Sequence, residues 1–414
     1  LLFVPKKLLI NEKTTLRNKQ LKFAPGGEAV VYYNFQRVRP SVWIFCTYQS
    51  EIFNFQVFMP KNTLLGNSFA TPRFDEQYLG KVAQKALNRP VVHVGFSPLQ
   101  GDASTRQYYR LSMEYQEGAL EPRTLILMQL EAPNVRGETD FIHILKFLQD
   151  LHLPVPELFY FDAERGLLLL QDCGDLTLEA HLHSATPEAL KSWYLKAVHL
   201  LATMQTEATR AIGVDCPAYH LKFDVEKLMW EMDFMLEHFI EGTQQSNLKS
   251  TARKELRKQL SDLCTLLAGQ TPWFTHRDYH SRNLMVHNDE LVLLDFQDAR
   301  MGPSQYDLAS LLRDSYLPLP DAVMWELVDA FIQKKQELGN HPIDRDEFIR
   351  VFDLMSIQRN LKAIGTFGYQ KKIKNNDRYM RYIAPTLEYV RQAFTRRIEL
   401  KPLHTILSEA IPDL

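Results

Sequence analysis

From residue 75 onward the apolar positions fall into regular patterns. Residues 75 to 88 read as a helix, and strand-like runs follow at 91 to 96, 107 to 115 and 124 to 131. The last two are separated by the turn material Glu117-Gly118, so the three runs predict a small antiparallel sheet. Between 138 and 152 the period changes. Phe141, Ile144, Leu145 and Leu148 recur at helical spacing until Pro154 and Pro156 end the run. Two further strands are predicted at 158 to 161 and 167 to 170. The acidic, polar link Gln171-Asp172-Cys173-Gly174-Asp175 comes next.

Beyond the link the pattern is mostly helical. In 223 to 242, Val225, Leu228, Met229, Met232, Leu236 and Phe239 recur at steps of three and four, which predicts one buried stripe. Helices are also predicted at 187 to 208, 247 to 268, 306 to 315, 321 to 338, 344 to 366 and 378 to 397. A strand-rich island, 273 to 296, interrupts them. The resulting expectation is an α+β chain with a β-rich lobe at 75 to 172 and a larger helical lobe at 173 to 414.

The first 73 residues behave differently. Apolar patches occur there (Val30-Val31-Tyr32-Tyr33, Val42-Trp43-Ile44-Phe45), but neither period is sustained. This stretch carries 10 Lys/Arg against 3 Asp/Glu and no Asp, which leaves the remaining residues net acidic. Since the chain also opens on Leu, residues 1 to 74 are read as an extension of doubtful structure outside the functional fold. A basic arm touching nucleic acid is the weaker alternative, and no nucleic-acid partner is expected.

Composition narrows the class. With 45% hydrophobic and 24% charged residues over 414 positions, disorder and collagen-like architectures are excluded. The four cysteines (Cys46, Cys173, Cys216, Cys264) form no CxxC pair, which argues against a zinc ribbon or a disulfide framework and fits a reducing cytoplasm. No run of 18 apolar residues occurs, so no membrane partner is expected.

The chemistry concentrates in the island. It reads Trp273-Phe274-Thr275-His276-Arg277-Asp278-Tyr279-His280-Ser281-Arg282-Asn283, then Leu284-Met285-Val286, and Leu291-Val292-Leu293-Leu294-Asp295-Phe296-Gln297-Asp298. Phosphoryl transfer needs a carboxylate facing the acceptor hydroxyl, and hard oxygen ligands for a phosphate-bound magnesium ion. His-x-Asp-x-x-x-x-Asn followed by an Asp after an apolar strand supplies that set, with Asp278 for the hydroxyl and Asn283 and Asp295 for the metal. Three fixed positions match by chance roughly once in 8,000 windows. A hairpin turning at Asn288-Asp289 would bring Asn283 and Asp295 together. The bland alternative is a loop of capping Asp and Asn residues. The spacing of His276 and His280 is metal-like, but no third ligand lies nearby in sequence.

These residues resemble the aminoglycoside phosphotransferase and choline kinase group within the protein-kinase-like two-lobed fold, over about residues 75 to 400. His276 to Met285, Leu294-Asp295-Phe296-Gln297-Asp298-Ala299, Gly302-Pro303 through Tyr306-Asp307-Leu308, Leu311-Leu312-Arg313-Asp314, Gln358-Arg359-Asn360-Leu361-Lys362 and Gly365 are similar in particular to the anomeric N-acetylmuramate/N-acetylglucosamine kinases of bacterial cell-wall recycling. The resemblance implies ATP and Mg²⁺ as cofactors and a small-molecule sugar as acceptor. Asp278 would be the base, Asn283 and Asp295 the metal ligands, and His276 and Asp307 the anchors of the catalytic loop. Gly101, Ser104, Thr105 and Arg106 would cradle phosphate, with one Gly where kinases carry several, and Gln171, Asp172 and Cys173 would form the hinge that reads adenine. His280, Arg282, Gln297, Asp298, Arg313 and Asp314 are the substrate-side candidates, each of which reads equally as a surface or salt-bridging group.

One departure from the kinase pattern stands out. Met128 and Gln129 occupy the place where protein kinases carry a Lys, which leaves Glu138 without its usual partner. Two rivals follow. A protein kinase is disfavoured because only 12 positions separate Asp295 from Asp307, too few for a peptide-presenting segment. A catalytically silent nucleotide-binding module is disfavoured by the intact Asp278, Asn283 and Asp295. A basic cluster at Lys371, Lys372, Lys374, Arg378 and Arg381 fits a sugar acid better than a polycation. A monomer or weak dimer is expected.

Overall fold

The computed structural model describes residues 72–99, 106–115, 122–132, 139–246 and 248–414, with the backbone of four strands nearer the N-terminus. The chain separates into two compact units, residues 1–69 and 70–414. In the first, the strands Lys19–Phe23, Ala29–Asn34, Trp43–Gln49 and Ile52–Phe58 pair consecutively as an antiparallel meander. Val30 to Tyr33 and Trp43 to Phe45 fall on strands of this meander, a regularity that their own short spacing did not reveal.

The second unit opens with the helix Glu76–Leu87. Asp75 caps it by accepting the N–H of Tyr78 at 2.7 Å, and Asn88 ends it in the left-handed conformation. The helix packs on a five-stranded antiparallel sheet whose spatial order is Val91–Leu99, Gln107–Tyr115, Thr124–Gln129, Leu167–Gln171, Leu158–Asp162. Strand alternation divides its side chains between two cores. Leu125, Leu127, Leu167 and Leu169 face the opening helix, whereas Met128, Leu168 and Leu170 join the large core that runs through the helical part. The helix Asp140–Asp150, capped by Thr139, reinforces that second face. Phe141 on this helix stacks on Phe296 at 5.1 Å and so ties the sheet to the loop that carries Asp295.

The helical part follows the expected pattern with informative exceptions. The stripe at 223 to 242 becomes the α-helix Val225–Met235 continued by the π-helix Leu236–Thr243, and the run at 378 to 397 begins as the 3₁₀ turn Asp377–Tyr382 before the helix Ile383–Arg396. The helix Arg345–Lys372 extends past the predicted end and is buried on most of its faces. Its Gly365 and Gly368 allow this close approach: a Cβ on Gly365 would stand 2.7 Å from the Cα of Met235, and one on Gly368 2.6 Å from the carbonyl oxygen of His238. Between these helices lie two short antiparallel pairs, Pro272–Thr275 with Arg300–Pro303 and Leu284–His287 with Glu290–Leu293. The second is the expected hairpin, turning through Asn288 and Asp289, both at positive φ. Among the described residues no helix is long and apolar enough to cross a membrane.

One core group is a liability. Lys335, on the helix Asp321–Gly339, is 3% exposed, its Nζ lies over the Trp273 ring at 3.1 Å, and it has no hydrogen-bond partner. Burial pushes this ammonium down to about 7. Between there and the ordinary lysine value the unfolded chain binds more protons than the folded one, so Lys335 makes stability rise with pH across that window. We predict that Lys335→Met is more stable than the parent by about 1–3 kcal/mol at pH 7 and that the gap closes towards pH 10. Urea denaturation at the two pH values checks this; a pH-independent gap refutes it.

Candidate active site

The loop between Thr275 and Leu284 is pinned at almost every residue except Asp278. Asp307, wholly buried in the first turn of the helix Gln305–Leu312, accepts the backbone N–H groups of His276 at 2.7 Å and Arg277 at 2.9 Å. Arg277 sits at φ +82°, a conformation that costs a non-glycine residue about 1–3 kcal/mol, and those two hydrogen bonds hold it there. The Tyr279 hydroxyl donates to the Ala197 carbonyl at 2.7 Å. Ser281 donates its N–H and hydroxyl to Asp314 at 3.0 and 2.5 Å, and Asn283 donates from Nδ2 to the Asp278 carbonyl at 2.9 Å. Burial pushes the Asp307 carboxyl up to about 7 against the pull of its two N–H donors.

Asp278 is thereby presented to an open space. Its Oδ1 accepts Lys362 Nζ at 3.3 Å, and Arg277 Nη1 stands 3.9 Å from its Oδ2. Burial disfavours its charge, but Lys362, Arg277 and Arg359 outweigh that and hold the carboxyl well below the usual carboxylate range. Beside it, burial pushes His280 down to about 3, so the ring is neutral.

Asp295 follows the hairpin at φ +63°, and its Oδ2 accepts Asn283 Nδ2 at 3.4 Å while its Oδ1 accepts Gln297 Nε2 at 2.6 Å. Because Asn283 spends its NH₂ on the Asp278 carbonyl and on Asp295, its amide oxygen is turned to other partners. A carboxylate and an amide oxygen are hard ligands suited to magnesium. Among the described residues no cluster of three His, Cys, Asp or Glu could hold a metal alone, which fits an ion that completes its shell with phosphate oxygens and water.

Two cavities meet at Asp295. One, of about 470 Å³, lies between the sheet and the helical part and is bordered by Tyr108, Ile126, Leu170 to Asp175, Met285 and Asn283. Gln171, Asp172 and Cys173 all line it, with Cys173 packed on Met285 and Val292. Burial pushes the Cys173 thiol up to about 11, so it is an apolar floor group. Asp172 is held by Arg110 through bonds of 2.7 and 3.0 Å, and Arg110 also holds Asp175. Gly101, Ser104, Thr105 and Glu138 lie outside the described residues. Arg106 stacks over the Phe141 ring at 5.4 Å, next to the Phe296 that follows Asp295.

The other cavity, of about 400 Å³, contains Asp278 and is walled by Trp230, Phe234, Tyr316, Phe367 and Tyr379. Of the substrate-side candidates, His280, Arg313 and Asp314 line it. Asp314 also holds the loop through Ser281, and Arg313 bonds Asp321 and Gln392 while its Nε and Nη2 have no partner. Arg282 and Gln297 border the first cavity instead. Arg282 is bound to Glu179 at 2.7 and 2.9 Å and to the Tyr382 hydroxyl, and Asp298 borders neither cavity because it pairs with Arg277 at 2.6 Å. His276 is buried, edge-on to the Tyr279 ring at 5.7 Å.

Sequence reasoning passed over Glu231, Arg359 and Lys362, all on the second cavity, and Arg110 on the first. The signal was there: Arg359 and Lys362 place charge in a helix that is buried from Val351 to Ile364 except at Lys362, and Glu231 stands inside the Met-rich stripe. The basic cluster from Lys371 to Arg381 borders neither cavity.

The model of the phosphotransferase enzyme family matches residues 95–338. The N-acetylmuramate/N-acetylglucosamine kinases of Neisseria meningitidis serogroup B and Pseudomonas aeruginosa are each 29% identical to this chain, over 75% of it and over 89% and 87% of their own lengths. Choline kinase from Cryptosporidium parvum Iowa II superposes with a TM-score of 0.52 at 11% identity, over 80% of this chain and 98% of its own. At that identity the likeness is one of fold, the two-lobed protein-kinase-like arrangement of an antiparallel sheet and a helical lobe. Since the matched span runs from the first strand of the sheet past the whole Asp278 loop, Asp295 and Asp307, the chain belongs to the phosphotransferase enzyme family and is a small-molecule kinase.

Proposed function

We propose that the chain transfers a phosphoryl group from magnesium-bound ATP to the anomeric hydroxyl of an N-acetylated amino sugar, N-acetylmuramate or N-acetylglucosamine. The observation that carries this reading is the aromatic-walled cavity that contains Asp278 and shares Asp295 with the nucleotide-side cavity. Its rings offer surfaces for the C–H faces of a sugar. Glu231 Oε1, which pairs with Lys227 Nζ at 3.8 Å but accepts no hydrogen bond among the described residues, offers an acceptor, and Arg313 Nε and Nη2 offer donors, for hydroxyl and amide groups. Arg277, Arg313, Arg359 and Lys362 balance its carboxylates, an arrangement poorly matched to a polycationic antibiotic. The names of the two bacterial relatives support the same acceptor class.

Magnesium–ATP supplies the phosphoryl group and the cation that neutralises its charge. Asn283 Oδ1 and Asp295 would hold the metal, with Gln297 fixing the rotamer of Asp295. Asp278 orients the acceptor hydroxyl and takes its proton, and Asp307 keeps the loop in the conformation that aims Asp278. The hinge at Gln171 to Cys173 would meet the adenine, and Gly101, Ser104, Thr105 and Arg106 the phosphates. Residues 75–172 and 173–414 would act as the two lobes.

Two outcomes follow. In an ATP-consumption assay over N-acetylmuramate, N-acetylglucosamine, simple hexoses, choline and aminoglycosides, the N-acetylated sugars should be turned over with phosphate on the anomeric oxygen, as read by phosphorus NMR; preference for choline or an aminoglycoside sinks the proposal. Asp278→Asn should lower kcat about 10²- to 10⁴-fold with an unchanged thermal midpoint. Full turnover in that variant would show that Asp278 is not the base.

A further inference from the structure

Lys362 lies beyond the span matched by the family model, on the helix Arg345–Lys372, yet its ammonium lies closer to the Asp278 carboxylate than either neighbouring guanidinium is shown to come. Three cations converge on this carboxylate and two are committed elsewhere. Arg277 Nη1 is 2.6 Å from Asp298 and 3.9 Å from Asp278, and Arg359 directs its Nε to the Ser310 hydroxyl at 2.8 Å. The only hydrogen bond of Lys362 Nζ among the described residues is the one to Asp278 Oδ1, which leaves two of its three N–H donors unused. A carboxylate that takes up the hydroxyl proton loses the charge that holds this ammonium, and the ammonium must then find another anion within reach. The side chain is only 15% exposed, in a recess where charge is poorly screened. The anion that appears there is the phosphoryl group being transferred.

We propose that Lys362 is a catalytic residue whose ammonium passes from the Asp278 carboxylate to the oxygens of the phosphoryl group in flight. This rests on the phosphoryl-transfer reading but not on the identity of the acceptor. In the step, the acceptor oxygen bonds to phosphorus as the bond from phosphorus to the leaving diphosphate breaks. The electron pair of that bond stays on ADP, the hydroxyl proton passes to Asp278, and Lys362 keeps its own protons while meeting the charge on the three equatorial oxygens. The strand Thr124–Gln129 presents Ile126 to the first cavity, so that strand brings no cation there.

The test is binding of MgADP by the full chain with and without aluminium fluoride, which mimics the phosphoryl group in flight, read by calorimetry. The parent should bind about a hundredfold tighter with fluoride. Lys362→Met and Lys362→Gln should lose that gain while binding MgADP alone within about twofold, and Lys362→Arg should recover most of it; turnover of the first two should fall about 10²- to 10³-fold with little change in KM. Using two neutral variants guards against a folding defect in one. The Asp278→Asn background separates this from a residue that merely holds Asp278: Lys362→Met must still abolish the fluoride gain there. If it does not, or if the neutral variants keep the gain, Lys362 is a positioning residue and the proposal falls while the kinase reading stands. A parent chain that binds MgADP but gains nothing from fluoride overturns both.

Discussion

The site depends on one buried carboxylate with no exposure of its own. Asp307 accepts two consecutive backbone N–H groups, at His276 and Arg277, and so stabilises a left-handed Arg277 that would otherwise relax. That turn directs Asp278 out of the loop while Tyr279 turns inward to Ala197. The clamp has its own support. Ser304, immediately before the helix that carries Asp307, is gripped by Gln205, which donates to its carbonyl at 3.0 Å and accepts its hydroxyl at 2.8 Å. Asp307 also lies in a helix first turn, where the helix dipole favours negative charge. Loss of the clamp therefore acts on the aim of Asp278 and not directly on its chemistry.

A second constraint is charge balance around a half-buried Asp278 and an exposed Asp295. Asp278 and Asp295 lie within one small volume, and two like charges so placed raise each other's cost unless cations intervene. On the Asp278 side the cations come from Arg277, Arg359 and Lys362. On the Asp295 side, among the described residues, the carboxylate's hydrogen bonds come from the amides of Asn283 and Gln297, and these are dipoles, not charges. One half of the centre is thus compensated by protein, and the other half suits the metal ion proposed above.

How much of this could be read beforehand follows from how local each signal is. The hairpin that brings Asn283 to Asp295 was legible because twelve residues with one turn leave few alternatives, and the strand and helix periods from 91 to 171 state which face is buried. The His276 to Asn283 loop was legible because its chemistry sits in one continuous segment. Lys362 and Arg359 were not assigned a role, since their approach to Asp278 is set by the packing of Gly365 against Met235, a contact across 130 positions that no local pattern encodes. For Asp314 and Asp298 the substrate-side and salt-bridging readings stayed equal for a related reason. Sequence proximity to the catalytic residues says nothing about which carboxylates are spent on Ser281 and Arg277.

The opening charge asymmetry bears less on function than the distribution of charge around the two cavities. On the nucleotide side Arg110 is saturated by Asp172 and Asp175, two carboxylates of the hinge, so that guanidinium fixes the hinge to the second strand of the sheet and has little charge left to offer a phosphate. Met128, at the place a kinase lysine was expected, is fully buried in the large core. A cation there would have to displace packing that joins the sheet to the helix Asp140–Asp150. The sheet lobe is therefore built around apolar contact and an internally satisfied hinge, and positive charge near the transfer point comes from the loop and from the long helix behind it. Such a division leaves the aim of Asp278 to the helical part.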